Sequence, residues 1–164
     1  MDVRRLTHND SAVLKDIWLR ALADTPTAFG AHYADEVAKP DSYWQELAQQ
    51  VAGATDQMVL VASIESHVCG LIHALIDPQQ RDVVQLGAMW IDPAVRRQGI
   101  ARELVDMVTA WAQHEHVHRL ALWVTEGNLV AIQTYERLGF QDTGQRAAFP
   151  TNPMLAMRQM TRNI

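Results

Sequence analysis

Cysteine is almost absent. Cys69 stands alone in 164 residues, so no disulfide can form within the chain. Nothing in the sequence therefore needs an oxidising compartment. No apolar run approaches the ~18 residues a membrane helix requires, and residues 1–10 are too polar for a signal peptide. These absences point to a cytoplasmic protein with no membrane partner. An excess of positive charge is missing as well. Asp and Glu number 19 against 14 Lys and Arg, a net charge of −5, which argues against a general nucleic-acid binder. Neither Gly-x-Gly-x-x-Gly nor Gly-Lys-Ser/Thr occurs, so a nucleotide-binding module ranks low. Repeats, linkers and low-complexity tracts are missing too.

What remains is an ordinary globular composition. Hydrophobic residues make up 48% and charged residues 20%, enough for one domain, 1–164, with a sizeable core. Val3 to Leu6 reads as a strand. Asn9, Asp10 and Ser11 offer caps for a helix carrying Leu14, Ile17, Trp18, Ala21 and Leu22 on one face. Residues 24–33 break that period and read as a loop or short helical piece. Pro40-Asp41-Ser42 opens a helix to about Gln50. Two strands, 58–64 and 68–75, meet across Ser66-His67 as a hairpin. Then come strand 83–91, helix 99–114, strand 119–125, helix 129–138, and strands near 139–146 and 154–160. This order predicts an α+β fold with a central mixed, mostly antiparallel sheet flanked by helices.

The richest stretch is 90–101. The apolar run from Val83 to Ile91 ends in Asp92-Pro93, and proline cannot continue a strand ladder. A basic turn follows, then the helical period Ile100, Leu104, Val108, Trp111. A helix N-terminus has unpaired N–H groups and the positive end of its dipole, so it attracts anions. Gly99 lets a ligand approach the backbone closely. A phosphate or pyrophosphate is the expected ligand group.

Arg96-x-x-Gly99-x-Ala101 resembles the Arg/Gln-x-x-Gly-x-Gly/Ala signature of the GNAT family of acetyl-CoA-dependent N-acetyltransferases. About thirty residues on, Asn128-x-x-Ala131-x-x-x-Tyr135-x-x-Leu138-Gly139-Phe140 resembles the family's other cofactor segment. The close resemblance covers roughly 83–142, and the element order agrees along the rest. It implies a GNAT-like domain that binds acetyl-CoA. The pyrophosphate would lie on the main chain of Arg96, Arg97, Gln98, Gly99, Ile100, Ala101 and Arg102. Main-chain groups of Met89, Trp90 and Ile91 would pair with the pantetheine arm in a V-shaped gap between strands 83–91 and 119–125. A plain core strand accounts equally well for Leu86, Ala88 and Trp90. Tyr135 falls on the family's tyrosine, the general acid toward the leaving thiolate. A phenol of pKa ~10 is protonated at neutral pH, though a core tyrosine fits the spacing too. Asn128 is a helix N-cap, a cofactor contact, or both.

No general base carries over. The two positions the family uses hold Gln85 and Trp123 here, neither of which takes a proton. Glu126 and His73 are the remaining candidates, and a base is dispensable if the amine arrives neutral. His114, His116 and His118 alternate at a helix-to-strand connection, where solvent exposure explains them; no metal is expected. Cys69 reads as a strand residue. Residues 24–36 and 146–153 are expected to line the acceptor site. Phe29, His32 and Tyr33 offer aromatic surface, and Asp24, Asp35 and Glu36 either pair with a cationic amine or form an acidic surface. The resemblance thus implies direct acetyl transfer to a primary amine, on a small molecule or a peptide N-terminus, with a homodimer left open. The alternative is a non-catalytic acyl-CoA-binding regulatory domain, against which Tyr135 counts.

Overall fold

The computed structural model describes residues 1–164. Its elements are β1 (Asp2–Arg5), α1 (Ser11–Asp24), α2 (Tyr33–Val37), α3 (Asp41–Gly53), β2 (Gln57–Ile64), β3 (His67–Ile76) and β4 (Val83–Ile91). After a 3-10 turn at Pro93–Val95 come α4 (Ile100–His114), β5 (Arg119–Thr125), α5 (Leu129–Arg137), β6 (Gln141–Phe149) and β7 (Asn152–Asn163). The strands form one sheet in the order β1-β2-β3-β4-β5-β7-β6. Every neighbouring pair is antiparallel except β4 and β5. The expected mixed, mostly antiparallel sheet is therefore present.

Period-two alternation splits the apolar residues between two faces. On β2, Met58, Leu60 and Ala62 join the core under α4 and α5. Val59 and Val61 join the core under α1 and α3. The first core is sealed by Leu104, Val105, Val108 and Ala112 of α4, all at 0% exposure. Truncating Leu104 there to alanine would cost about 2–5 kcal/mol. The second core holds Ile17, Ala21 and Leu22 of α1 against Trp44, Ala48 and Val51 of α3. No helix is long and apolar enough to cross a membrane.

Two details depart from the sequence reading. The β2–β3 turn is Glu65-Ser66, one residue earlier than expected, with φ of 48° and 68°. Two left-handed residues give the turn that suits the twist of paired strands, and His67 pairs with Ile64. The second departure sits in β4. Val84 and Leu86 face α4, yet Trp90 faces α1. A regular strand would keep even-numbered residues together. Here the pairing with β3 shifts between Leu71 and His73, and Ala88 adopts φ 50°. This is a β-bulge: one extra residue in β4 reverses the faces beyond it. Met89 and Ile91 now pack toward α4, and Ala88 and Trp90 toward α1. β4 is therefore not a plain core strand: Leu86 faces α4, while Ala88 and Trp90 face α1.

Candidate active site

The loop between β4 and α4 is shaped by side-chain caps and left-handed residues. Asp92 accepts from the Ala94 N–H at 2.9 Å and so starts the 3-10 turn. Arg97 and Gly99 then take φ of 65° and 88°. The Gly99 carbonyl accepts from the N–H groups of Arg102 and Glu103, at 3.0 and 3.1 Å. The N–H groups of Arg97, Gln98, Gly99, Ile100 and Ala101 donate to no backbone acceptor. They form a row of donors at the positive end of α4, the arrangement that holds a phosphate. Open space surrounds Gly99 where a side chain would stand. Arg97 and Arg102 are exposed.

Arg96 has a different part. Its Nε donates to the Ile91 carbonyl at 2.9 Å, and Nη2 donates to the Asp24 carboxylate. Asp24 ends α1, and its Oδ2 also accepts from Trp90 Nε1 at 2.9 Å and Thr25 Oγ1 at 2.7 Å. Burial pushes the Asp24 carboxyl up, but the bonds from Trp90, Thr25 and Arg96 outweigh it and hold it below the ordinary range. One turn earlier on α1, Arg20 donates to Asp92 and to the Val68 carbonyl. The Arg20 guanidinium also stacks over Trp90, 5.3 Å from the ring centre. So α1 offers Arg20 and Asp24, the loop offers Asp92 and Arg96, and the two ion pairs clamp the donor row to the body. Asp24 is thereby engaged within the fold. Glu36 is likewise buried, bonded by Trp18 Nε1 and Lys39 Nζ.

β4 and β5 pair from Val83–Arg119 to Leu86–Leu122 and no further. Beyond Leu86 the strands part, and an opening lies between residues 87–91 and 123–125. On the α4 face of the sheet stands Tyr135 of α5, 9% exposed and edge-on to Phe140 at 5.8 Å. Burial pushes its phenol up to about 12, so it holds its proton through neutral pH. Its hydroxyl has no partner in the chain and is not sealed from solvent. Asn128 Oδ1 accepts from the Ala131 N–H at 3.2 Å, capping α5. Its amide NH2 stays free. Leu129 and Val130, 64% and 69% exposed, project beside it.

The acid–base candidates separate by face. Gln85 Nε2 donates to Asp77. Glu126 pairs with Arg146 and Arg158, which also hold Asp142. That network of β6 and β7 engages Glu126. His73 lies on the α1 face, its Nε2 3.0 Å from Gln57 Oε1, and burial lowers its pKa. Around residues 24–36, Thr125 Oγ1 donates to the Thr27 carbonyl at 2.9 Å, and Gly30 lies against Pro150. The structure thus brings together the segments 24–36 and 146–153. His114, His116 and His118 lie around the α4–β5 turn, where His116 takes φ 59°. Cys69 is buried, its thiol pushed up by burial. The bulge at Ala88 and the α1 clamp were not expected from sequence. Gly87 in mid-strand was the available signal for irregular pairing.

Comparison with known proteins agrees with this geometry. The acetyltransferase of the GNAT family from Streptococcus pneumoniae superposes with a TM-score of 0.83 at 21% identity, covering 99% of each chain. The yncA structure from Salmonella typhimurium, solved with its cofactor acetyl-CoA, gives 0.77 at 18% identity, over 99% of this chain and 93% of that one. These likenesses show the fold. In sequence, the chain is 31% identical over 132 residues to the L-amino acid N-acetyltransferase AaaT of Escherichia coli, covering 74% of this chain and 76% of that protein. It spans only 28% to 39% of the length of other curated relatives it matches. The model of the acetyltransferase (GNAT) family matches residues 17–140, a stretch that includes the donor row, the opening and Tyr135, and this chain belongs to that family.

Proposed function

We propose that this protein moves an acetyl group from acetyl-CoA directly to a primary amine. The observation that carries the reading is the donor row at Arg97–Ala101, set beside the opening between β4 and β5. Five main-chain donors and the exposed Arg97 and Arg102 suit a pyrophosphate in charge and number. Bound there, the thioester supplies an activated acetyl group. Trp90 turns its main-chain groups toward Leu71 of β3, in phase with the bond from the Asp92 N–H to the Cys69 carbonyl, which corrects its expected pairing with the cofactor. Met89 borders the opening, and its main chain would pair with the amides of the pantetheine arm. The Ile91 carbonyl and the Arg96 side chain hold each other, so Arg96 acts as a brace rather than a ligand. Asn128 caps α5 and keeps its NH2 for the cofactor. Tyr135 keeps its proton at neutral pH and gives it to the sulfur as the C–S bond breaks. That unpartnered hydroxyl disfavours the non-catalytic acyl-CoA-binding reading.

The acceptor is a small-molecule amine or a peptide N-terminus. The relative named for L-amino acids makes free amino acids the first class to test. A panel of amino acids, polyamines and short peptides, assayed with acetyl-CoA for thiol release and amide product, decides the matter. Amine-dependent thiol release supports the reading. Tight acetyl-CoA binding with no turnover on any amine would favour a regulatory domain instead.

A further inference from the structure

The α1 face of the sheet carries a row of residues that cofactor binding does not use. Four positions lie side by side across it. His73 of β3 pairs with Gly87 of β4, and Trp123 of β5 pairs with Gln159 of β7. Between Gly87 and Trp123 lies the opening, because Leu86–Leu122 is the last β4–β5 pair. His73 is therefore one strand from the edge of the opening, about 4.8 Å between backbones. Gly87 puts nothing in between. It is exposed, and a side chain there would meet open space. Across the opening, Trp123 is 37% exposed, a flat apolar wall on the same face.

The His73 ring is oriented by one bond. Gln57 Oε1 is an acceptor, so the Nε2 beside it carries the proton and Nδ1 keeps its lone pair. Nδ1 has no partner in the chain and is not sealed from solvent. Its surroundings on this face are uncharged: Gln57 and Val59 from β2, Leu71 and Leu75 from β3, Gly87 and Gln85 from β4. Asp77, the carboxylate bonded into this surface, is engaged by Gln85. No charged side chain of α1, α3 or any other element shifts the ring; burial alone lowers its pKa. Glu126, the other candidate, is tied to Arg146 and Arg158.

We infer that His73 is the general base of the transfer, accepting a proton at Nδ1 from the acceptor nitrogen at the edge of the opening. The inference rests on the acetyltransferase reading above. The atoms balance as follows. The amine nitrogen forms a bond to the carbonyl carbon, and His73 Nδ1 takes a proton from that nitrogen. The C–S bond breaks, its electron pair stays on sulfur, and Tyr135 gives sulfur a proton. The imidazolium then returns its proton to the phenolate through solvent, so both side chains end as they began. The products are an amide and free thiol. Gly87 is the residue that keeps the path from His73 to the opening clear.

The test uses the full chain and two acceptors whose amine pKa values differ by about two units. In the wild type, kcat/KM calculated on the concentration of neutral amine should fall on the acid side below the ordinary histidine value of ~6.5. That limb should not move with the acceptor. His73→Gln should lower kcat about 100-fold and abolish the limb, with acetyl-CoA affinity by calorimetry unchanged. Added imidazole should restore part of the activity of His73→Gly. Gly87→Val should raise the KM for the acceptor. In the free protein, nitrogen NMR of the ring should show the proton on Nε2 and titration below the ordinary value. A His73→Gln variant with the wild-type profile, or an acid limb that follows the acceptor's own pKa, overturns the assignment and leaves the acetyltransferase reading standing. A wild type without amine-dependent thiol release overturns both.

Discussion

The loop from Asp92 to Arg102 and the row His73–Gly87–Trp123 border one opening but are built in opposite ways. The loop is a single run of chain. Its working groups are main-chain N–H donors, made available by two left-handed residues and the start of α4. The row is assembled from β3, β4 and β5, and its working groups are side chains whose placing depends on strand register. The loop should tolerate exchange of its side chains and resist change of its backbone. The row should do the reverse.

The sharpest way to break this contrast is Tyr135, which belongs to neither region and serves both. Tyr135→Phe removes a hydroxyl that bonds to nothing in the chain, so the packing on Phe140 should survive. Turnover should drop about 100-fold, while the KM for acetyl-CoA moves little. Wild-type turnover would make Tyr135 a packing residue. Gly99 tests the loop alone. At φ 88° any side chain is strained, so Gly99→Ala measures strain by itself. Gly99→Glu adds an anion beside the donor row and should weaken acetyl-CoA binding by about a further tenfold. Equal affinities by calorimetry would show that the row does not hold a phosphate. Asp24→Asn gives the smallest effect. It leaves an acceptor for Trp90 and removes the ion pair to Arg96, whose partners are 27% and 40% exposed. A partly exposed pair is worth about 1 kcal/mol or less. The KM for acetyl-CoA should rise at most about fivefold, with kcat held. An unchanged KM would mean that the clamp does not position the loop.

The two regions differ in the same way in how much of them the sequence disclosed. Strands 83–91 and 119–125 fall where the apolar runs put them, and α4 begins one residue after Gly99. The loop was legible because its parts are adjacent in the chain: a proline that stops a strand, a glycine that turns, a helix that starts. The capping of α5 by Asn128 was legible for the same reason. The acceptor side was not. Asp24 and Glu36 read as free carboxylates, but Arg96, Trp90, Trp18 and Lys39 had reached them from elsewhere in the chain. Glu126 read as a candidate base until β6 and β7 brought Arg146 and Arg158 to it.

By itself, then, the sequence determined the element order, the donor row at the head of α4 and the tyrosine of α5, because local steric and hydrogen-bonding preferences fix these within a few residues. Only the tertiary structure decided which face each β4 residue takes. Alanine carries no signal of a bulge, yet the bulge at Ala88 turns Trp90 onto α1 and Met89 onto the α4 side. Only the tertiary structure, too, decided that His73 stands next to an open Gly87 while Glu126 is held by arginines. Strand pairing depends on contacts between residues distant in sequence, and a one-residue shift exchanges the faces of everything beyond it.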